Sequence, residues 1–203
     1  MIVASQRFGR SLRLAATLVW TAMAVAGCGV NNIPTYEEQA KASFSEVQNQ
    51  YKRRADLIPN LVEAVKGFAG QESKVLKEVI EARSRAVSVT LPADILNNPE
   101  AMKKFEESQN SLGAALQGMR GLTEAYPDLK SNANFLQLQS QLEGTENRVG
   151  IARRDYILSV QQFNTEIKTI PGRWWKSLLY PTAKEMANFT ASEADQQVPK
   201  VKF

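Results

Sequence analysis

The chain has 203 residues, 43% of them hydrophobic and 23% charged, with 11 Gly and 8 Pro. That suits one folded domain and excludes collagen, a disordered tail, a multi-span membrane protein and a disulfide scaffold. It has no histidine and a single cysteine, which removes most metalloenzymes, every histidine-based triad and any internal disulfide. The formal charge of +4 is misleading: with Arg7, Arg10 and Arg13 set aside, 22 basic side chains face 21 acidic ones, so the rest carries no footprint for nucleic acid.

The first 27 residues read as an address. Three arginines precede an apolar run over residues 14–27, closed by the small residues Ala26 and Gly27. This is the order of a secretory signal, and the run is shorter than the about 20 residues that span a bilayer core. The lone cysteine, Cys28, stands directly after Val25-Ala26-Gly27. Val-Ala-Gly-Cys resembles a bacterial lipobox, with cleavage before Cys28 and acylation of its thiol and new amine. Two or more acyl chains hold a protein on a bilayer where one does so only marginally. The expected place is therefore a membrane surface outside the cytoplasm: the periplasmic side of the outer membrane in a two-membraned cell, since Gly29 rather than Asp follows the cysteine. The alternative is an integral protein that retains residues 14–30 as a spanning helix. Residues 28–35, with Gly29, Asn31, Asn32 and Pro34, read as a tether.

Helical periodicity begins at Tyr36. Tyr36, Ala40, Phe44, Val47, Tyr51 and Ile58 recur in steps of three, four and seven, placing them on one helix face. Thr35, followed by Glu37 and Glu38, marks a start. Pro59 predicts a break or kink, with Asp56 capping the continuation. A second stripe runs through Leu61, Val65, Phe68, Val75, Leu76, Val79 and Ile80 to about Val87; Pro92, Asn97, Asn98 and Pro99 then supply turn signals. The third stripe is Met102, Phe105, Leu112, Leu116, Met119, Leu122 and Tyr126. Its Gly113, Gly118 and Gly121 either weaken the helix or permit close helix approach. The fourth is a heptad seam of Phe135, Leu138, Leu142, Thr145, Val149, Ala152 and Tyr156, continued by Val160, Phe163, Ile167 and Ile170 up to Pro171.

The stripes predict an all-α, up-and-down antiparallel bundle over residues 36–171, with three to four long helices, the first kinked near Pro59, and an irregular C-terminal tail. Residues 172–203 hold Trp174, Trp175, Leu178, Leu179 and Tyr180. They read as a short helix and an extended tail capping the bundle end, or as an aromatic belt with Arg173 and Lys176 at a headgroup layer.

Residues 51–63, YKRRADLIPNLVE, resemble the signature of the LemA family. Residues 122–156 (LTEAYPDLKSNANFLQLQSQLEGTENRVGIARRDY), residues 160–171 (VQQFNTEIKTIP) and the ending PKVKF are also similar to that family. The resemblance implies a helical bundle tied to a membrane near its N-terminus, and no enzymatic activity. Two departures stand out: Gln71 occupies a position before Glu72 that is often His in the family, and Cys28 stands in for the N-terminal membrane helix of many members.

For chemistry, Glu143, Glu146 and Asn147 share one helix face, so the two carboxylates, with a third acid such as Glu124, are the candidates for acid–base hydrolysis or cation binding. The contrary reading is inter-helix pairing, with Arg148, Arg153 and Arg154 opposite Glu63, Glu124 or Asp56. Arg53, Arg54, Asp56, Asn60, Glu63, Glu143, Glu146 and Arg154 form the candidate motif or partner patch. Asp56 would cap the Pro59 break, and the arginines would reach carboxylates on the neighbouring helix. No metal or cofactor is expected; the partners expected are a membrane, through lipid on Cys28, and other envelope proteins. The function these features support is a non-enzymatic, membrane-anchored envelope scaffold or adaptor, with a carboxylate-based hydrolase or cation-binding protein as the alternative.

Overall fold

The computed structural model describes residues 29–69 and 74–190, apart from the side chains of residues 68, 69, 120, 123–125 and 130. The expected leader, Cys28, Gln71, the Glu124 side chain and the PKVKF ending lie outside these residues. The described chain is helical: α1 (Asn32–Ala69), α2 (Lys74–Ser88), a 3-10 turn (Ile95–Asn97), α3 (Pro99–Ala125), a short α4 (Pro127–Ser131), α5 (Ala133–Lys168) and α6 (Gly172–Leu178). No strand occurs among the described residues.

The helix starts follow local chemistry. Asn98 accepts the Ala101 amide at 3.1 Å ahead of Pro99, and Asn132 accepts the Phe135 amide at 3.0 Å. Each side chain thus satisfies an amide that has no partner inside the first turn. Tyr126 and Pro127 end α3, as their order in the sequence suggests. The expected tether is shorter than residues 28–35, because α1 already begins at Asn32. Pro34 sits in its first turn, where its missing N–H leaves no hydrogen bond unmade, and Gly29, with φ +91°, turns the chain into it.

The expected break at Pro59 does not occur; α1 runs unbroken through it to Ala69, about 57 Å at 1.5 Å per residue. Proline cannot bond the carbonyl four residues back, which is that of Ala55. The Nε of Arg83 on α2 donates to that carbonyl at 2.8 Å, so the neighbouring helix replaces the missing bond. With no helix end at this point there is nothing for Asp56 to cap, and its carboxylate pairs with Lys52 at 3.1 Å instead.

Contacts between facing side chains fix the directions. Ile33 shares a core cluster with Ile167, Phe44 lies 5.4 Å from Tyr156, and Arg54 pairs with Glu146, so α1 and α5 are antiparallel. Val75 faces Gly118, and the Ala86 carbonyl accepts from Gln109, so α2 and α3 are antiparallel too. Up, down, up, down is the resulting order. α2, about 22 Å long, is too short to flank the whole of α1. Where it is missing, the 3-10 turn and an extended tail over residues 183–190 take its place. The tail lies along the bundle rather than capping its end. Asn164 clamps Met186 through two bonds of 2.9 Å, the Tyr156 hydroxyl donates to the Ala187 carbonyl at 2.7 Å, and the Ala187 amide donates to Leu96 at 2.6 Å. Ala183, Met186 and Phe189 of the tail are buried.

Most stripe residues are interior, with exceptions. Ile80 and Ile170 are exposed, because α2 turns Leu76, Val79, Ala82 and Ala86 inward and Ile170 lies beyond the end of α5. Tyr126 is exposed at the α3 terminus. The three α3 glycines are not close-approach points: a Cβ at Gly113 or Gly118 would meet its nearest neighbour at 3.8 or 3.9 Å, and one at Gly121 would meet nothing within 4 Å. The Ile170-Pro171 peptide is cis.

Candidate functional site

The interior is not one core but two. One apolar cluster gathers Phe44, Val47, Tyr51, Phe105, Val149, Tyr156 and the tail; the other gathers Ile58, Leu61, Val65, Leu76, Val79, Leu112, Leu116 and Phe135. The stripes of α1 and α3 each take a step of seven positions at this boundary, from Tyr51 to Ile58 and from Phe105 to Leu112. A helix face needs a residue every three or four positions, and the missing places are filled by the small Ala55 and by the buried polar residues Arg54, Glu106 and Gln109. On α5 the buried Thr145 stands at the same level, its hydroxyl bonded to the Gln141 carbonyl at 2.8 Å.

Arg54, 3% exposed, is the centre of this layer. Its Nη1 donates to Glu146 Oε1 at 2.9 Å, and its Nη2 to the Gln109 carbonyl and Oε1 at 2.9 and 2.8 Å. Its guanidinium carbon lies 5.0 Å from the Tyr51 ring centre, a cation–π contact, while its Nε has no acceptor among the described residues. Gln109 passes the network on, donating to the Ala86 carbonyl at 3.3 Å. One turn along, Arg153 donates to the buried Glu106 at 2.5 Å and covers the Phe189 ring at 4.6 Å. Glu106 Oε2 accepts the Thr190 amide at 3.2 Å. Two guanidinium groups thus meet two carboxylates, so the layer is neutral as a whole. Its members come from α1, α3, α5 and the tail. Burial pushes the Tyr51 hydroxyl above its ordinary pKa; the Arg153 and Arg54 charges pull it back down, while Glu106 adds to the rise. Burial likewise raises Tyr156.

Of the sequence candidates, the structure pairs Arg54 with Glu146 across the bundle, and Glu143 lies beside Glu146 on the rim of one groove. Arg53 and Asn60 are exposed, Glu63 pairs with Lys66 at 2.6 Å, and Arg154 lies beside Asp155 at 3.3 Å. The expected pairing of Arg148, Arg153 and Arg154 with Glu63 or Asp56 is replaced. Arg148 donates to Thr145 at 3.3 Å and Arg153 takes Glu106, because the antiparallel register sets Glu106, not Asp56, opposite Arg153. Glu106, Gln109 and Arg83 were absent from the candidates, and the seven-position steps were the signal that could have found two of them.

Glu143 and Glu146 border a groove of about 240 Å3 between α1, α3 and α5, walled mainly by Leu61, Leu116, Met119, Phe135 and Leu142. Glu146 is committed to Arg54, and Glu143 accepts from Gln139 at 3.2 Å. Among the described residues no three His, Cys, Asp or Glu side chains are grouped to hold a metal ion. Nor is any described helix long and apolar enough to cross a membrane. What this arrangement does best is fix the register of four helices and a tail.

A long antiparallel α-bundle, divided by a buried layer of arginine–carboxylate pairs, is the class of protein this fold defines. The sequence model of the LemA family matches residues 43–203, and the chain belongs to that family. It is similar to the magnetosome protein MamQ 2 of Paramagnetospirillum magneticum, 22% identical over 175 residues, which cover 78% of this chain and 63% of that protein. It is 21% identical over 139 residues to protein LemA of Metamycoplasma hominis, covering 68% of this chain and 59% of that one. The magnetosome protein MamQ of Magnetospirillum gryphiswaldense is 22% identical over 157 residues, 70% of this chain and 58% of its own length. The chain thus spans about six-tenths of these relatives.

Proposed function

We propose that this protein is a non-enzymatic helical scaffold or adaptor of the bacterial cell envelope, held on the outer side of a membrane by lipid on Cys28. One observation carries the reading: the only cysteine closes a short apolar leader as Val-Ala-Gly-Cys, four residues ahead of Asn32, where α1 begins. Acyl chains on that sulfur and amine would bind a bilayer stably without a spanning helix. The rod beyond it, whose helices α1 and α5 are each over 50 Å long, offers surface to envelope partners.

The carboxylate hydrolase has less support. Acid–base work needs a carboxylate free to take or give a proton to substrate, and Glu146 is already bound to a buried guanidinium. The test is Cys28→Ala in cells. The variant should leave the membrane pellet or remain unprocessed, while the intact mass of the wild-type protein should show cleavage plus acylation. A wild-type thiol that is free, with the leader still attached, sinks the reading.

A further inference from the structure

Ten large hydrophobic side chains are exposed among the described residues, and four of them, Ile170, Trp174, Leu178 and Leu179, fall within residues 170–179. Trp174 is 57% exposed and Leu178 72% exposed, while the neighbouring Trp175 packs against the core. A clustered apolar surface of this kind marks a contact site where scattered exposed residues would not. The same segment is basic: residues 168–182 hold Lys168, Arg173 and Lys176 and no acid. Lys168 is held by Glu185 at 2.8 Å, but Arg173 and Lys176 make no ion pair among the described residues. Both line a recess of about 570 Å3 between α5 and α6.

This surface lies at the end where the described chain begins. Asn32 Nδ2 donates to Glu166 Oε1 at 3.3 Å, and a Cβ on Gly29 would lie 3.8 Å from the same oxygen. Backbone packing fixes α6 there too, since a Cβ on Gly172 would fall 2.1 Å from the Glu166 carbonyl oxygen. Cys28 is one peptide, about 3.8 Å, from Gly29.

The geometry points to a second membrane contact: the α6 end of the bundle docks on the bilayer interface, with Ile170, Trp174, Leu178 and Leu179 in the acyl boundary and Arg173 and Lys176 on anionic headgroup phosphates. A seven-residue helix would bind weakly alone, but a tether at residue 28 makes its binding intramolecular, so a weak patch suffices. Tryptophan and leucine beside basic residues match the interface, where amphipathic rings and long cations both find favourable surroundings. The placement rests on the Cys28 anchor for its choice of a lipid surface rather than a protein.

The test uses the full chain as purified from membranes, with Trp20→Phe and Trp175→Phe leaving Trp174 as the single tryptophan. It is reconstituted into vesicles of phosphatidylcholine and phosphatidylglycerol carrying brominated acyl chains. Trp174 emission should be quenched most by bromine near the headgroups. Quenching should be lost with Leu178→Glu plus Leu179→Glu, two exposed positions, and weakened with Arg173→Gln plus Lys176→Gln, while every form pellets equally with the vesicles. Unquenched Trp174 in pelleted protein, or quenching indifferent to the leucine changes, overturns the proposal. Shielding of Trp174 from aqueous iodide in cell membranes without bromine quenching in vesicles overturns it in favour of a protein partner. A free Cys28 thiol by mass, with quenching intact when the protein is added to vesicles, leaves docking standing and removes only the anchor.

Discussion

The two buried acid–arginine contacts differ in how much water reaches them, and that decides what each substitution costs. The Glu106 side chain is 6% exposed, whereas that of Glu146 is 44% exposed. Removing Glu106 strands the Arg153 charge beside the Phe189 ring and leaves the Thr190 amide unpaired. Glu106→Ala should therefore cost about 3–5 kcal/mol, the usual loss when one half of a buried pair goes. Glu146→Ala leaves the buried Arg54 with both bonds to Gln109, and water can enter where Glu146 stood, so it should cost less, about 1–2 kcal/mol. Urea unfolding followed by circular dichroism gives both numbers, and the reverse order would refute this account of the layer. Arg83 offers a sharper test because its role depends on Pro59. Arg83→Leu should cost about 1–3 kcal/mol by orphaning the Ala55 carbonyl. In a Pro59→Ala background the restored amide can bond that carbonyl, so the same change should cost much less. A double-mutant cycle with no coupling between the two positions would show that Arg83 does not compensate for the proline. Neither role was legible from spacing alone. Pro59 correctly flags a missing hydrogen bond, but whether a helix breaks there depends on what a neighbour can donate, and that neighbour lies 24 residues away.

At the scale of elements, the apolar stripes carried most of the fold. Heptad steps from Phe135 to Tyr156 match α5, the turn signals from Pro92 to Pro99 match the break before α3, and the count of stripes matches the up-and-down bundle. What they concealed lay in their gaps. A stripe that jumps from Tyr51 to Ile58 still buries residues in between, and here they are Arg54 and Ala55. Glu143 and Glu146 drew notice because they share a face of one helix, whereas pairing is decided between helices, by a register that no single helix encodes. The tail escaped for a related reason: residues 183–190 have no period, and their burial follows from α2 being too short to cover α1. Glycines separate by the same logic of neighbours. Gly121→Ala should stabilise by up to about 1 kcal/mol, since nothing lies within 4 Å of the added methyl and alanine is the better helix former. Gly172→Ala should destabilise by several kcal/mol or prevent α6 from docking, because its Cβ would fall 2.1 Å from a backbone oxygen, far inside van der Waals contact. Thermal melts of the two variants should move in opposite directions; a shift of Gly172→Ala to higher temperature would mean that α6 is not packed on α5 as described.

Across the whole molecule, the polar layer separates two apolar clusters that are closed by different elements. α2 covers the cluster around Leu112 and Leu76, while the tail and the 3-10 turn cover the cluster around Phe44 and Tyr156. Stability in such a molecule need not be uniform, because a unit can open locally when its own lid is removed. A chain ending at Tyr180 loses Ala183, Met186 and Phe189 from the interior, the Tyr156 hydroxyl's acceptor, both Asn164 bonds and the Thr190 donor to Glu106. Hydrogen exchange on this truncated protein should show amides over residues 40–50 and 152–165 exchanging markedly faster. Amides over residues 76–86 and 112–119 should stay close to their rates in the full chain, because α2 still covers them and the Arg54–Gln109–Glu146 contacts remain on their side of the boundary. Equal acceleration in both halves would mean that the layer transmits the loss instead of isolating it, and that the bundle opens as one cooperative unit.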